Sequence, residues 1–262
     1  MDVRARERHW SLIPPDVARR LRARVIRVGD ALLTVCPGSD ALRMNRVIGL
    51  GYRGAAREAM IDEIIALYRA SKVLRFSLQV GPGPQRNRIE AWLVARGFKR
   101  SEGDSMLVRD CRIPVPRVHS GVRVLRARAV DAGAVVGILE RCFAMPASRR
   151  AWSLAAVRSP GHEYYVARAG RIPVATGILG IDGNLAWLGA GATLTRWRGR
   201  GAHGAVIAAR LRGAARAGCL WAWVETAPPV AGRPGGSRRN LLRLGFVAAC
   251  EKSVFVWGGR SG

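Results

Sequence analysis

The sequence predicts a fold of the α/β (α+β) class, made of two successive units, each a mostly antiparallel mixed sheet flanked by helices, with the N-terminal unit truncated. Three observations lead there. Short β-patterned runs alternate with stretches of helical period along all 262 residues. The order of those runs in the first half of the chain returns in the second. A basic, glycine-containing turn, RWRGRGAHG from Arg196 to Gly204, joins a strand to a long helix.

From the N-terminus, Ser11 to Asp30 carries Pro14-Pro15 and then Val17, Leu21 and Val25 at helical spacing, which predicts one helix behind a proline start. Ala31 to Cys36 and Met44 to Leu50 are short β-like runs, the first ended by Pro37-Gly38. A helix over Ala55 to Ser71 sets Met60, Ile61, Ile64, Ile65 and Tyr68 on one side. Val73 to Val80 follows as a strand, Arg88 to Arg96 as a helix running into Gly97-Phe98, and Ser105 to Arg109 as a closing strand. Cys111 to His119 has Pro114, Pro116 and no periodicity, so it reads as a linker. The resulting division is 1–112, a linker at 113–120, and 121–262.

In the second part, Val122 to Arg128 alternates as a strand, and Asp131 is placed to cap a helix through Phe143. A second helix covers Ser148 to Val157. Glu163 to Ala169 and Arg171 to Ile181 form a hairpin across Gly170, and Asn184 to Leu194 pairs next, after Asp182-Gly183. A long helix starts near Ala202 and stops at Gly218. The strand LWAWVET (Leu220 to Thr226), the helix end LLRLGF (Leu241 to Phe246) and a last strand pair around Ser253 to Trp257 complete the chain.

The repeat is specific in order and modest in identity. Val73 to Pro84 falls on Cys219 to Val230, with Leu74 on Leu220, Leu78 on Val224 and Pro82 on Pro228, while Ile61 and Ile65 in the preceding helix fall on Ile207 and Leu211. After a small insertion, Gly97-Phe98 falls on Gly245-Phe246. The copies differ where it matters for an anion. In the first turn Arg53 is followed by Ala56 instead of a glycine, and Glu58, Asp62 and Glu63 crowd the start of the helix. Carboxylates there suit the helix dipole and would repel a phosphate. The first copy therefore reads as degenerate and free of cofactor.

In the second turn, Gly199 and Gly201 allow a tight backbone path that aims several N–H groups at one anion, and the helix from Ala202 adds its positive end. Arg196, Arg198 and Arg200 add full charges. A plain strand-to-helix connection has the same ingredients, so the context carries the reading. Arg198-x-x-Gly201, between the strand Asn184 to Leu194 and the strand Leu220 to Thr226, resembles the pyrophosphate-binding signature Arg/Gln-x-x-Gly-x-Gly/Ala of the GNAT superfamily of acetyl-CoA-dependent acyltransferases. LLRLGF resembles that family's closing helix and Gly-Phe turn. The resemblance covers residues 121–262, and the first half resembles a degenerate tandem copy. One departure is His203 at the second small position, where the side chain must point away from the phosphates.

The resemblance implies acetyl-CoA as cosubstrate. Its pyrophosphate would lie on the N–H groups of Arg198, Gly199, Arg200, Gly201, Ala202, His203 and Gly204, and its pantetheine arm beside Ala192, Thr193 and Leu194 in a split between two strands. It implies transfer of the acetyl group to an amine by direct attack in a ternary complex. Glu225, at the C-terminal end of its strand, is the candidate general base, or else a solvated strand-end carboxylate. The family's tyrosine acid is replaced here by Leu241. Asn240 and Ser237 are placed to touch the CoA arm, with capping an equal role for Ser237, and His203 either contacts the phosphates or is solvated. Trp187, Trp221 and Trp223 line an acceptor pocket or belong to the core. The acceptor, a small-molecule or peptide amine, is not named by the sequence, and a homodimer is compatible with it.

Composition bounds the alternatives. The formal net charge is +26, and Lys72, Lys99 and Lys252 are the only lysines among 44 basic residues. This surface attracts polyanions, but the charge is spread evenly and no helix-turn-helix, RNP or zinc pattern accompanies it, which argues against nucleic acid. A non-catalytic acyl-CoA-binding or structural protein remains the other reading, motivated by His203 and Leu241. The five cysteines form no CxxC pair and, with no apolar leader and no run of roughly 18 apolar residues, predict a cytoplasmic protein away from membranes. His9, His119, His162 and His203 are scattered, so no metal site is expected.

Overall fold

The computed structural model describes residues 2–232 and 235–258. The described residues fall into two compact units, one of residues 2–11, 15–105 and 250–258, the other of residues 12–14, 106–232 and 235–249.

The first unit opens with two helices, α1 (Asp2–Ser11) and α2 (Pro15–Leu21), and a hairpin of β1 (Arg24–Val28) and β2 (Ala31–Val35). The single helix expected over Ser11 to Asp30 is therefore corrected. Arg22 takes a left-handed φ of 50° and ends α2. Val25, Ile26 and Val28 are β-branched and pair across Gly29-Asp30 with β2, from Arg24↔Val35 to Val28↔Ala31. The unit continues through β3 (Arg46–Ile48), α3 (Ala59–Ala70), β4 (Phe76–Val80), α4 (Arg86–Ala95) and β5 (Lys99–Asp110). Helix α3 buries Ile61, Ile64, Ile65 and Tyr68, the face that its period predicted. β3 and β4 run parallel across that helix, with Arg46↔Ser77 and Val47↔Leu78 in register.

The second unit holds β6 (Arg123–Arg126), α5 (Ala132–Phe143), α6 (Arg150–Arg158), β7 (His162–Ala169), β8 (Ile172–Asp182) and β9 (Leu185–Thr193). Then come α7 (Ala202–Arg216), β10 (Trp221–Thr226) and α8 (Gly236–Arg243). β6 to β9 form an antiparallel meander, and β10 returns parallel to β9 after the α7 crossover. The last element is a single strand of 11 residues, β11 (Val247–Trp257), where a strand pair around Ser253 to Trp257 was expected. Its residues 250–257 count with the first unit, and Ser253 to Trp257 pair antiparallel with β4, from Ser253↔Val80 to Trp257↔Phe76.

Each unit has its own core. Ile61, Ile64, Tyr68, Phe76, Leu78 and Phe255 belong to the first, and Val206, Ile207, Leu211, Ala222, Leu244 and Phe246 to the second. Each fully buried side chain of this size contributes about 2 kcal/mol through apolar burial.

Candidate functional site

The site starts from a sheet that opens. β9 and β10 are in register only at Trp221↔Leu185, Ala222↔Ala186 and Trp223↔Trp187. Past those pairs β9 runs on to Thr193 and β10 to Thr226 without further register partners in one another. Backbone edges left this way suit an extended, amide-bearing ligand, which can pair like an added strand. On its other side β9 is bulged. The ladder to β8 jumps from Thr176↔Ala192 to Ile178↔Gly189, and Ala190 takes φ 44°. A bulge bends its strand and increases its twist.

At the end of β9 the chain enters the glycine turn. A 3-10 turn ties the N–H of Trp197 to Leu194 O at 2.8 Å and that of Arg198 to Thr195 O at 3.1 Å. Gly199 and Gly201 have φ 77° and 76°, conformations that side chains make costly. An added Cβ at Gly199 would meet nothing within 4 Å, whereas at Gly201 it would lie 2.4 Å from His119 O. The first α-helical bond of α7 runs from the Ala205 N–H to Gly201 O, so the N–H groups of Ala202, His203 and Gly204 have no acceptor inside the helix. There is no acidic residue in the first turn of α7, and the dipole end is left positive.

The arginines of the turn divide their work. Arg198 bends back and donates from Nε to Thr193 O at 3.3 Å. Arg200 stacks over the Trp197 ring at 5.1 Å, and Arg196 is exposed. Two buried polar atoms at this place lack partners among the described residues, Thr193 Oγ1 and Trp197 Nε1. Buried polar groups without partners cost free energy, and a bound phosphate or amide arm would relieve it. The residues present thus fit a CoA-like ligand.

The other expected residues are placed as follows. Ala192, Thr193 and Leu194 lead into the turn, and all are buried. Glu225 is half-buried on β10, beyond the last pair with β9. His203 is half-buried and faces inward, with Nε2 2.9 Å from where a Cβ on Gly191 would stand. Its Nδ1 meets Asn240 Nδ2 at 3.2 Å. With the amide as donor, the imidazole carries its hydrogen on Nε2, an assignment from the hydrogen bond. Burial, helped by the Arg210 guanidinium, holds the His203 pKa down at about 4, so the ring is neutral at pH 7. Leu241 is 2% exposed and fills core space. Ser237 is exposed. Trp223 is buried with its ring 6.3 Å from that of Trp187, while Trp221 is 40% exposed.

Sequence reasoning missed three groups. Cys142, at the end of α5, interacts with Arg198 and Thr193; burial pushes its thiol up, so it stays protonated. Arg210 is only 2% exposed. Its signal was a charged residue on the apolar stripe of Val206, Ile207, Leu211 and Ala214. The third is Asp30, in the first unit. It stands at the turn between β3 and α3 and accepts N–H groups of Gly51 at 3.1 Å, Arg53 at 2.8 Å and Gly54 at 3.3 Å. Burial alone would raise its pKa, but these donors and the Tyr52 N–H outweigh that and hold the carboxyl below the usual range. Two of the three carboxylates expected to repel phosphate are otherwise engaged, since Arg96 bonds Asp62 at 2.6 Å and Glu58 at 2.7 Å.

Among the described residues no cluster of three metal-ligating side chains forms, and no helix is long and apolar enough to cross a membrane.

No protein-family model matches the chain, and no curated protein matches it in sequence. Solved structures do match in fold. A GCN5-related N-acetyltransferase from Kribbella flavida has a TM-score of 0.69 at 19% identity, over 97% of this chain and 95% of that one. A second GCN5-related N-acetyltransferase, from Sphaerobacter thermophilus, has a TM-score of 0.63 at 13% identity, over 88% of this chain and 81% of that one. A tandem GNAT protein from the clavulanic acid biosynthesis pathway has a TM-score of 0.61 at 18% identity, over 91% of this chain and 83% of that one. The chain has the mixed α/β fold of the GNAT superfamily.

Proposed function

We propose that the second unit is an acetyl-CoA-dependent N-acyltransferase that moves an acetyl group to an amine by direct attack in a ternary complex. The observation that carries this reading is the parting of β9 from β10 directly ahead of an arginine-bearing turn whose helix-start N–H groups have no acceptor inside the helix. Acetyl-CoA supplies the activated thioester. The N–H groups from Gly199 to Gly204, with Arg198 and Arg200, hold its pyrophosphate, Ala192, Thr193 and Leu194 take its arm, and Asn240 supports the same side. Glu225 accepts the proton of the acceptor amine, directly or through water. With Leu241 in the core, no tyrosine stands at the usual acid position, and thiol release is left to solvent or to fixed donors.

We also read 1–112 and 121–262 as two copies joined by 113–120, the first without cofactor. The matched strand–helix–strand order, β3–α3–β4 and β9–α7–β10, supports this. The free cysteines support a reducing, cytoplasmic setting.

Titration of acetyl-CoA and of CoA into the full chain, with Gly199→Glu beside it, tests the reading. Gly199 has open space around its Cβ direction, so the variant places a carboxylate on the turn at a strain cost of about 1–2 kcal/mol. Binding in the wild type, lost in the variant, justifies screening amines for thiol release. The buried Leu241 favours one other reading, a non-catalytic acyl-CoA binder. Tight binding with no thiol release across amine classes would identify it.

A further inference from the structure

Arg210 sits inside the second unit with no ion pair among the described residues. Its Nη1 donates to two carbonyls at the β8–β9 bulge, Ile178 O at 3.1 Å and Gly189 O at 3.0 Å, and its Nε donates to Val206 O at 3.2 Å. The two strands are hollowed to admit the group. A Cβ on Gly177 would stand 2.7 Å from Cζ of Arg210, and one on Gly191 would stand 3.4 Å from Nη2. Ile178 and Gly189 are the first regular pair after the ladder jumps. A buried cation costs several kcal/mol of desolvation, and an apolar residue on this helix stripe would avoid that cost.

We propose that Arg210 is a positioning residue that pins the bulge in β9, and so fixes the backbone edge that faces the β9–β10 split. The guanidinium takes the Ile178 and Gly189 carbonyls at once, from the two strands that meet at the bulge, and this holds the register beyond it. The segment Ala190 to Thr193 is thereby set, and with it the place where the thioester arm would pair. The inference rests on the acyltransferase reading for its catalytic consequence, but the pinning of β9 is measurable without any ligand.

Arg210→Met removes the donors. Gly177→Ala reaches the same end from the other strand, because its methyl displaces the guanidinium while keeping the charge. Leu211→Ala, in the same helix and fully buried, controls for general loss of stability. Hydrogen exchange of the full chain is expected to show faster uptake over residues 186–194 in Arg210→Met and Gly177→Ala, and not selectively in Leu211→Ala. Where the wild type turns over, both variants should lower kcat by about a hundredfold, the effect of an ångström-scale misplacement, with the Kd for CoA within about twofold because the turn is untouched. Arg210→Lys should recover part of kcat. Unchanged uptake over 186–194, or the same change in Leu211→Ala, overturns the proposal. A wild type that binds no CoA sinks the acyltransferase reading, and the exchange data still decide whether Arg210 pins β9.

Discussion

The turn between β3 and α3 and the turn between β9 and α7 occupy the same place in a parallel strand–helix–strand path, and they treat an anion in opposite ways. In the first, a carboxylate of the chain itself, Asp30, takes the N–H groups of Gly51, Arg53 and Gly54. In the second, the N–H groups of Ala202, His203 and Gly204 have no partner inside the helix, and Thr193 Oγ1 and Trp197 Nε1 are buried without partners among the described residues. The difference shows how such a turn can be closed from within: an internal carboxylate occupies the place of an outside anion and keeps the N–H groups satisfied. The strands beside the turns differ likewise. The residue matching Glu225 is Gln79, whose amide donates to Asp104 at 2.9 Å in a buried setting.

The comparison breaks most visibly at the chemistry. Glu225→Gln makes the second unit resemble the first, and is expected to lower kcat by about a hundredfold or more with CoA affinity unchanged, in steady-state thiol release. An unaltered kcat would return Glu225 to a strand-end carboxylate.

Next in size is the internal anion. Asp30→Ala removes a charged acceptor from several N–H groups and is expected to destabilise the first unit by about 2 kcal/mol in urea unfolding, with acetyl-CoA binding unaffected. Loss of acetyl-CoA binding in this variant would mean that the first turn, too, serves the cofactor.

Acid sharpens the same contrast. The folded pKa of Asp30 is depressed, so its contribution is fully present above the ordinary value of about 3.9 and is lost as pH falls through the folded value. Asp30→Asn should lack that part of the acid dependence.

His203 works from a different cause. Its folded pKa is lowered to about 4, so between the ordinary histidine value of about 6.5 and that point the unfolded chain binds the proton and the folded chain does not. Stability therefore falls as pH drops through this window. His203→Asn should flatten the slope there, seen as a smaller change in Tm between pH 7 and pH 5.

Much of the fold was legible in local chemistry. The period of α3 marked Ile61, Ile64, Ile65 and Tyr68 for burial, and the positive φ at Gly199, Gly201 and Gly218 follows from the residue that stands there. Long-range facts were not legible. Asp30 reaches its N–H partners from a hairpin that the sequence hid, because Val25 fits a helical period as well as a strand. Ser253 to Trp257 pair with β4, a placement that no local period encodes. Arg210 did leave a trace, as a charge on an apolar stripe, but its partners are carbonyls beside a bulge, and a bulge has no period to read. At the candidate site, the turn and Glu225 were marked by residue type and spacing. The inward path of His203 toward Gly191 depends on glycine in another strand.

The most direct test of the account is the stoichiometry of acetyl-CoA binding by calorimetry in the wild type, Gly199→Glu and Asp30→Ala. The account predicts one molecule per chain in the wild type and in Asp30→Ala, and none in Gly199→Glu. Two molecules per chain in the wild type, or one retained in Gly199→Glu, would contradict the claim that the second turn is the open cradle and the first the closed one.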